Sequence, residues 1–157
     1  MAMSKLFLLL NFSPVILDLP SSGMSAEQLA ASFGVTDPAL YQEFAELDFD
    51  AVCYNYPSAF TLANGVVGFD LSKAKQIADG IVNAQSNEAA KKTLEGLSYD
   101  VYIAQSALPA EQRIVKYQTA IDANNAIALE TEQREQAIYA ATTIDEVNAI
   151  VYPPAAS

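Results

Sequence analysis

Histidine and tryptophan are absent from this 157-residue chain, and Cys53 is its single cysteine. Without histidine, a Ser-His-Asp or Cys-His catalytic arrangement and a histidine-ligated metal site are both excluded. A single cysteine excludes an intrachain disulfide and a thiolate zinc site. Cys53 lies in an apolar, strand-like stretch, which favours a buried thiol over a reactive one. The sequence therefore predicts no metal site, no cofactor and no enzymatic activity.

Basic residues are scarce: eight lysines and arginines stand against 19 acidic residues, which gives a net charge of −11. The imbalance is largest in residues 1–70, where Lys5 is the only basic side chain. Nucleic acid and anionic membrane surfaces both attract basic proteins, so neither is an expected partner. A basic protein would suit this charge, and an acidic adaptor that binds one is an alternative hypothesis.

Long apolar runs are also missing. The longest near the N-terminus, residues 6–10, follows Lys5 and resembles the start of a signal peptide, but Asn11, Ser13 and Pro14 interrupt it early. No run approaches the roughly 18 apolar residues that a bilayer span needs. We interpret residues 5–10 as a buried strand.

At 52% hydrophobic residues, the chain can form a core, and its pattern predicts an α+β fold with a boundary near residue 70. Residues 1–70 are predicted to form a small mixed part, and residues 71–157 a helical part with an extended tail, 152–157. The clearest signal is Asn64-Gly65 between two apolar runs, which predicts a β-hairpin with a type I′ turn. The remaining N-terminal elements are predicted as strands over 5–10 and 15–19, a capped helix from Ser25 to Gly34, a helix from Asp37 to about Leu47 and a strand over 49–56.

In the helical part, a stripe of Leu71, Ala74, Ala78 and Val82 predicts one helix, and residues 87–94 a second, ended by Gly96. Residues 98–107 and 143–151 are predicted to form further short helices. The dominant element is a helix from Pro109 to Ala141, about 50 Å long at 1.5 Å per residue. A rod of this length is expected to pack along neighbours or along copies of itself.

The interface residues predicted on this rod follow spacings of 3, 4 and 7: Ile114, Tyr117, Ile121, Asn124 and Ala128. If Asn124 lies in a coiled-coil seam, it would set the register and the number of helices, and a homo-oligomer such as a trimer is then expected. The alternative is a solvent-facing Asn124. The stiff tail Tyr152-Pro153-Pro154 is the other predicted contact, docking on a neighbouring subunit.

The acids near residues 43–50 are the best candidates for chemistry. A carboxylate pair, one protonated and one ionised, can cleave a glycosidic bond, so a small carbohydrate-active or lytic enzyme is the alternative to a binding role. Four residues could supply that pair: Glu43, Glu46, Asp48 and Asp50. Without a partner that shifts a pKa, they are expected to be a solvated helix end and strand start.

Residues 141–150, Ala-Thr-Thr-Ile-Asp-Glu-Val-Asn-Ala-Ile, resemble the short capped helix at the ends of some tailed-phage accessory proteins, of the tail-fibre-associated, baseplate or head-decoration type. That resemblance implies a small structural component of a virion, cytoplasmic during its synthesis, with protein partners and no activity of its own. Together with the predicted rod, it leads us to expect a non-enzymatic interaction protein that assembles into a multi-subunit particle.

Overall fold

The computed structural model describes residues 4–20 and 23–154, and it has the predicted α+β class. The strands are β1 (Ser4–Leu10), β2 (Ser13–Asp18), β3 (Tyr41–Ala45), β4 (Phe60–Ala63) and β5 (Val66–Phe69). The helices are α1 (Ala26–Ser32), α2 (Leu71–Thr93), α3 (Tyr99–Ser106), α4 (Val115–Ala140) and α5 (Ile144–Val151). None of these helices combines the length and apolar character of a membrane span. The chain divides into two compact units, one comprising residues 1–77 and 142–148, the other residues 78–141 and 149–157.

The first unit is built on β1, the central strand of an antiparallel sheet of order β2-β1-β3. Three consecutive residues of β1, Leu6, Phe7 and Leu8, are almost completely buried. Since side chains alternate between the two faces of a strand, β1 must be covered on both. Leu6 and Leu8 pack with Ala30 of α1 and with Val35. The apolar run read from the sequence is thus a buried strand, as predicted.

The opposite face of this sheet meets an aromatic cluster. Phe60 is its centre and is fully buried. Four rings lie with their centroids 5.1–5.9 Å from that of Phe60: Phe44, Phe49, Tyr54 and Phe69. Edge-to-face and offset arrangements of this kind add to the burial energy of the rings. The second hairpin, β4–β5, belongs to this cluster through Phe60 and Phe69.

Lys5 lies beside the aromatic cluster, with its ammonium group over the ring of Tyr54. Its ammonium bonds Asp18 on β2, lies 3.5 Å from Glu46 Oε1 and stands 4.9 Å from the centre of the Tyr54 ring. The hydrogen bond to Asp18 is the main cause that raises the pKa of Lys5 above its ordinary value. The single basic residue of residues 1–70 is thereby engaged within its own unit.

In the second unit, α2 and α4 run antiparallel, joined by a ladder of side-chain hydrogen bonds. Tyr139 donates to Asp79 (3.1 Å), Arg134 to Gln85 (2.8 Å), Thr131 to Ser86 (2.8 Å) and Asn124 to Thr93 (2.8 Å). The residue numbers of the donors on α4 fall while those of the acceptors on α2 rise, as expected for antiparallel helices. Ala78 and Val82 of α2 and Ile121 and Ile138 of α4 are buried.

Three predictions of secondary structure before the long helix were wrong. The segment after Asp37 forms only a 3₁₀ turn, Pro38–Leu40, and then β3, because pairing with β1 outweighs local helix preference. Residues 51–55 are a 3₁₀ helix rather than a strand. The helices predicted over 71–82 and 87–94 are one helix, α2, whose contacts with α4 continue to Thr93. The strands predicted over 5–10 and 15–19 are confirmed, and they form a hairpin whose turn is Asn11-Phe12.

The long helix begins at Val115, not at Pro109. A 3₁₀ turn, Ala110–Gln112, precedes it, and Ile114 is extended, with its N–H donating to Gln105 Oε1 (2.7 Å). Arg113 donates to the carbonyl oxygens of Gln105 and Leu108 and so fixes this corner. At 26 residues, α4 is about 39 Å long at 1.5 Å per residue, shorter than the predicted rod. The capped helix α3, the hairpin turn at Asn64-Gly65 and the box between Ser25 and Gln28 are confirmed.

The Arg134 guanidinium ties α4 to the end of α5. It donates to the carbonyl oxygens of Ile150 (2.9 Å) and Val151 (3.2 Å), which lie in the last turn of α5, as well as to Gln85. Carbonyls at a helix C-terminus have no partner within the helix, so this fork supplies donors that they would otherwise lack.

We expect Arg134→Met to lower the free energy of unfolding by about 1–3 kcal/mol, because half-buried carbonyls lose a charged donor. Urea denaturation followed by circular dichroism measures the change. Arg134→Lys is the matched control: it retains the charge but not the planar fork, and we expect an intermediate loss. Equal stability of Arg134→Met and the wild type would show that the fork contributes nothing.

Candidate protein-binding surface

Three of the predicted interface residues on the long helix face their own chain. Tyr117 and Ile121 are buried, and the Tyr117 hydroxyl accepts from the Ser98 N–H at 3.2 Å. Asn124 donates to Thr93 Oγ1 (2.8 Å), to the Tyr102 hydroxyl (3.4 Å) and to the Ala120 carbonyl (3.0 Å). An asparagine predicted either for an intermolecular seam or for solvent thus joins α4 to α2 and α3 within one chain.

The other predicted interface residues keep accessible surface. Ile114 and Ala128 are exposed. In the tail, Tyr152, Pro153 and Pro154 are exposed as well, and Pro153 lines a shallow cleft of about 330 Å³ with residues of α4 and α5. Docking of the tail on a neighbouring subunit stays a prediction. The last three tail residues, 155–157, lie outside the described residues.

Of the four acidic side chains proposed for chemistry, Glu43 and Asp48 line one groove, and Glu46 and Asp50 do not. Glu46 approaches Lys5, and Asp48 Oδ2 accepts from the Ala45 N–H at 3.3 Å, while Glu43 and Asp50 are exposed. Within residues 4–20 and 23–154, no group of three or more histidine, cysteine, aspartate or glutamate side chains is placed to hold a metal ion. The roles of Glu46 and Asp48 in the structure are a salt bridge and a turn cap.

Cys53 is buried, as the sequence predicts. Burial raises the pKa of its thiol, since a thiolate would lose its hydration there. The nucleophilic form of the side chain is therefore disfavoured.

The most unusual surface feature is one that the sequence reading missed, the turn of the β1–β2 hairpin. Its two central residues, Asn11 and Phe12, both have positive φ, at 50° and 67°. Asparagine tolerates this left-handed region, but a phenylalanine there is an outlier. Phe12 is also 96% exposed, so burial against the described residues does not offset its strain.

The second hairpin shows what the same turn looks like without that outlier. It also has two central residues with positive φ, Asn64 at 54° and Gly65 at 75°. Asn-Gly is the pair that such a turn favours, because glycine adopts the left-handed region without strain. In the first hairpin, a large aromatic residue occupies the position that suits glycine. Backbone strain held together with full exposure is typical of functional positions.

Two clefts flank Phe12, and both have Phe12 and Leu9 in their walls. One, of about 250 Å³, reaches Phe7 and Phe60, and the other, of about 310 Å³, reaches Phe33 and Val35. Among the residues that the structure describes, Lys73 is the only charged one that lines either cleft. We call Phe12 with these two clefts the hairpin-tip patch. The chain carries a net charge of −11, so two copies repel each other over most of their surface. Because no described acidic side chain lines these clefts, electrostatic repulsion between two copies is weaker at this patch.

A hydrophobic tip was recognisable in principle. The pattern of a short strand, then Asn-Phe, then Ser-Pro and a second strand places asparagine at the first position of a two-residue turn. Phenylalanine is uncommon at the second position of such a turn, and the nearby Ser13-Pro14 are more familiar turn residues, so the pattern alone does not single out Phe12.

No family model, no curated protein and no solved structure matches this chain. The function is therefore inferred from the geometry of the surface described above.

Proposed function

We propose that this chain is a non-enzymatic structural protein that assembles with copies of itself through the hairpin-tip patch. The observation that carries the proposal is Phe12, a fully exposed aromatic side chain held at positive φ. Such strain is typical of functional positions, where the free energy of binding a partner can offset its cost. Burying a phenylalanine ring contributes about 1.5–3 kcal/mol, and buried aromatic anchors dominate many interfaces.

The patch has the shape for self-association. It carries a projecting ring and, on either side of it, apolar clefts whose volumes of about 250 and 310 Å³ exceed that of one ring. A surface that carries both a projection and a receptor can pair with its own copy about a two-fold axis, or with successive copies in a closed ring such as a trimer. The low charge of the patch favours this contact over the acidic remainder of the surface.

We also propose that the particle is a tailed-phage virion, with the chain cytoplasmic only during its synthesis. The support is the resemblance of residues 141–150 to the capped helices of phage accessory proteins. These residues form the capped N-terminus and most of α5: Thr143 Oγ1 accepts from the Glu146 N–H (3.2 Å), and Glu146 accepts from the Thr142 N–H (2.7 Å). Mass spectrometry of gradient-purified particles should find this chain at a fixed copy number, and its loss on purification would contradict a virion role.

The strain at the tip predicts that removing the ring stabilises the monomer. We expect Phe12→Gly to raise the free energy of unfolding by about 0.5–1 kcal/mol, because relief of the left-handed strain exceeds the added entropy of the unfolded chain. Urea denaturation at a protein concentration below that of association measures it. The matched control, Gly65→Phe, meets no atom within 4 Å of its added Cβ and should lose about 1–2 kcal/mol. A less stable Phe12→Gly would contradict the strain argument.

Self-assembly predicts a change of mass in solution. Light scattering should give the wild type a mass of two or more chains, and Phe12→Asn, which keeps a residue that tolerates positive φ, the mass of one chain. Added salt should strengthen the wild-type assembly by screening the net charge. Gly65→Phe places a second exposed ring away from the tip clefts and should leave the mass unchanged from the wild type.

Two results would refute self-assembly through this patch. One is a wild type that stays a monomer at the highest soluble concentration. The other is a Phe12→Asn variant that has the same mass as the wild type.

A further inference from the structure

A second surface of the first unit lies along the free edge of β3. In the sheet order β2-β1-β3, β3 pairs with β1 on one side. A groove of about 580 Å³ is lined by three consecutive β3 residues, Gln42, Glu43 and Phe44. Consecutive strand residues point to opposite faces, so a groove that touches all three follows the edge of the strand and neither face alone. The outward backbone N–H and C=O groups of an edge strand are a template for another strand.

The opposite wall of the groove is the tip of the β4–β5 hairpin. Gly65, Val66 and Val67 form it, and Val66 is 67% exposed. Gly65 carries no side chain that would fill the groove. An extended segment lying along β3 would therefore have backbone partners on one side and an apolar contact on the other. Because the Ala45 N–H already donates to Asp48 Oδ2, the other four residues of β3 would pair with about 14 Å of extended chain.

The charge of the groove selects the kind of segment. Glu43 and Asp48 are both exposed in its wall, and within the described ranges 4–20 and 23–154 no lysine or arginine lines it. Lys5, the basic residue of the same sheet, is engaged with Asp18 and Glu46. A segment with lysine or arginine would meet two carboxylates that have no basic partner in the groove wall.

A second copy of this chain is the other candidate for the edge, and the same charges disfavour it. Pairing two β3 strands would bring acidic residues of the two copies together, and like charges on paired strands are destabilising. Charged residues on edge strands are a common device against edge-to-edge pairing between copies. Glu43 and Asp48 thus disfavour pairing with a second copy of this chain and favour pairing with a basic strand.

We propose that the β3 edge binds an extended, basic segment of a partner protein, which adds a fourth strand to the sheet and places its lysines or arginines beside Glu43 and Asp48. This is β-strand addition, in which backbone hydrogen bonds give affinity and side chains give specificity. The site goes beyond the proposed self-assembly and does not use Phe12, so one chain can contact its own copies at the hairpin-tip patch and a different protein at the β3 edge.

Fluorescence anisotropy tests the proposal with three labelled peptides of about eight residues, a typical strand length. One alternates lysine with valine, the second alternates glutamate with valine, and the third alternates lysine with proline, which keeps the charge but cannot form a strand ladder. We expect the Lys-Val peptide to bind the full-length chain at low salt, and the other two to bind at least about tenfold more weakly.

The variants locate the binding site. Glu43→Lys with Asp48→Lys should weaken Lys-Val binding at least about tenfold. Because Asp48 also caps a turn, Glu43→Lys alone, on an exposed edge position, is the second variant and should give part of that loss. The matched control, Glu88→Lys with Glu95→Lys, makes the same change of charge at exposed sites outside the groove and should change binding less than about twofold.

Three results would overturn the proposal. One is a Lys-Val peptide that does not bind at low salt, and another is a Lys-Pro peptide that binds as tightly as the Lys-Val peptide. The third is a Glu88→Lys, Glu95→Lys variant that weakens Lys-Val binding as much as the Glu43→Lys, Asp48→Lys variant does. Phe12→Asn separates this site from the hairpin-tip patch: unchanged peptide binding supports the groove, and lost binding would assign the peptide to the tip instead.

Discussion

The burial of β1 on both faces is the constraint on which the first unit depends. Leu6 and Leu8 need a helix on one side, and Phe7 needs the aromatic cluster on the other, so α1 and the β4–β5 hairpin are both recruited to one strand. With β2 and β3 flanking it, β1 has no free edge. This arrangement around β1 has two consequences for the surface of the unit. The tight connection to β2 places Phe12 at a strained, exposed tip, and β3 becomes one of the two edge strands of the sheet. Both proposed contacts arise from the way in which one apolar strand is covered.

The elements that the sequence predicted well are those whose signals are local. Asn64-Gly65 specifies a type I′ turn through the conformations of its own two residues, and Ser25 with Gln28 caps a helix through its own side chains. The apolar run at residues 6–10 could hardly be anything other than a buried element. The division into strands followed by helices, and so the α+β class, follows from such local signals.

The misjudged elements depend on partners distant in the chain. Residues 41–45 become a strand because β1 requires a second neighbour, although their own composition also suits a helix. Asn124 finds its hydrogen-bond acceptor 31 residues earlier, in α2, and the sequence offers no means of telling that partner from another subunit. Phe12 was missed for a different reason: its conformation is one that phenylalanine rarely adopts, and no preference scale predicts an exception. The Asn-Phe pattern between two strands can mark a turn, but the positive φ of Phe12 is seen only in the structure.

The central claim is that the Phe12 ring is buried in a neighbouring copy of the chain. Replacing Phe12 with the photoreactive analogue p-benzoylphenylalanine keeps an aromatic ring at the tip and tests this directly. The account predicts a cross-linked dimer on irradiation, with the adduct mapped to residues of the neighbouring clefts such as Leu10 and Phe33. It predicts no adduct from the same group at Leu47, which is also exposed but lies outside the patch. Absence of a cross-link at position 12, or an equal yield at position 47, would contradict it.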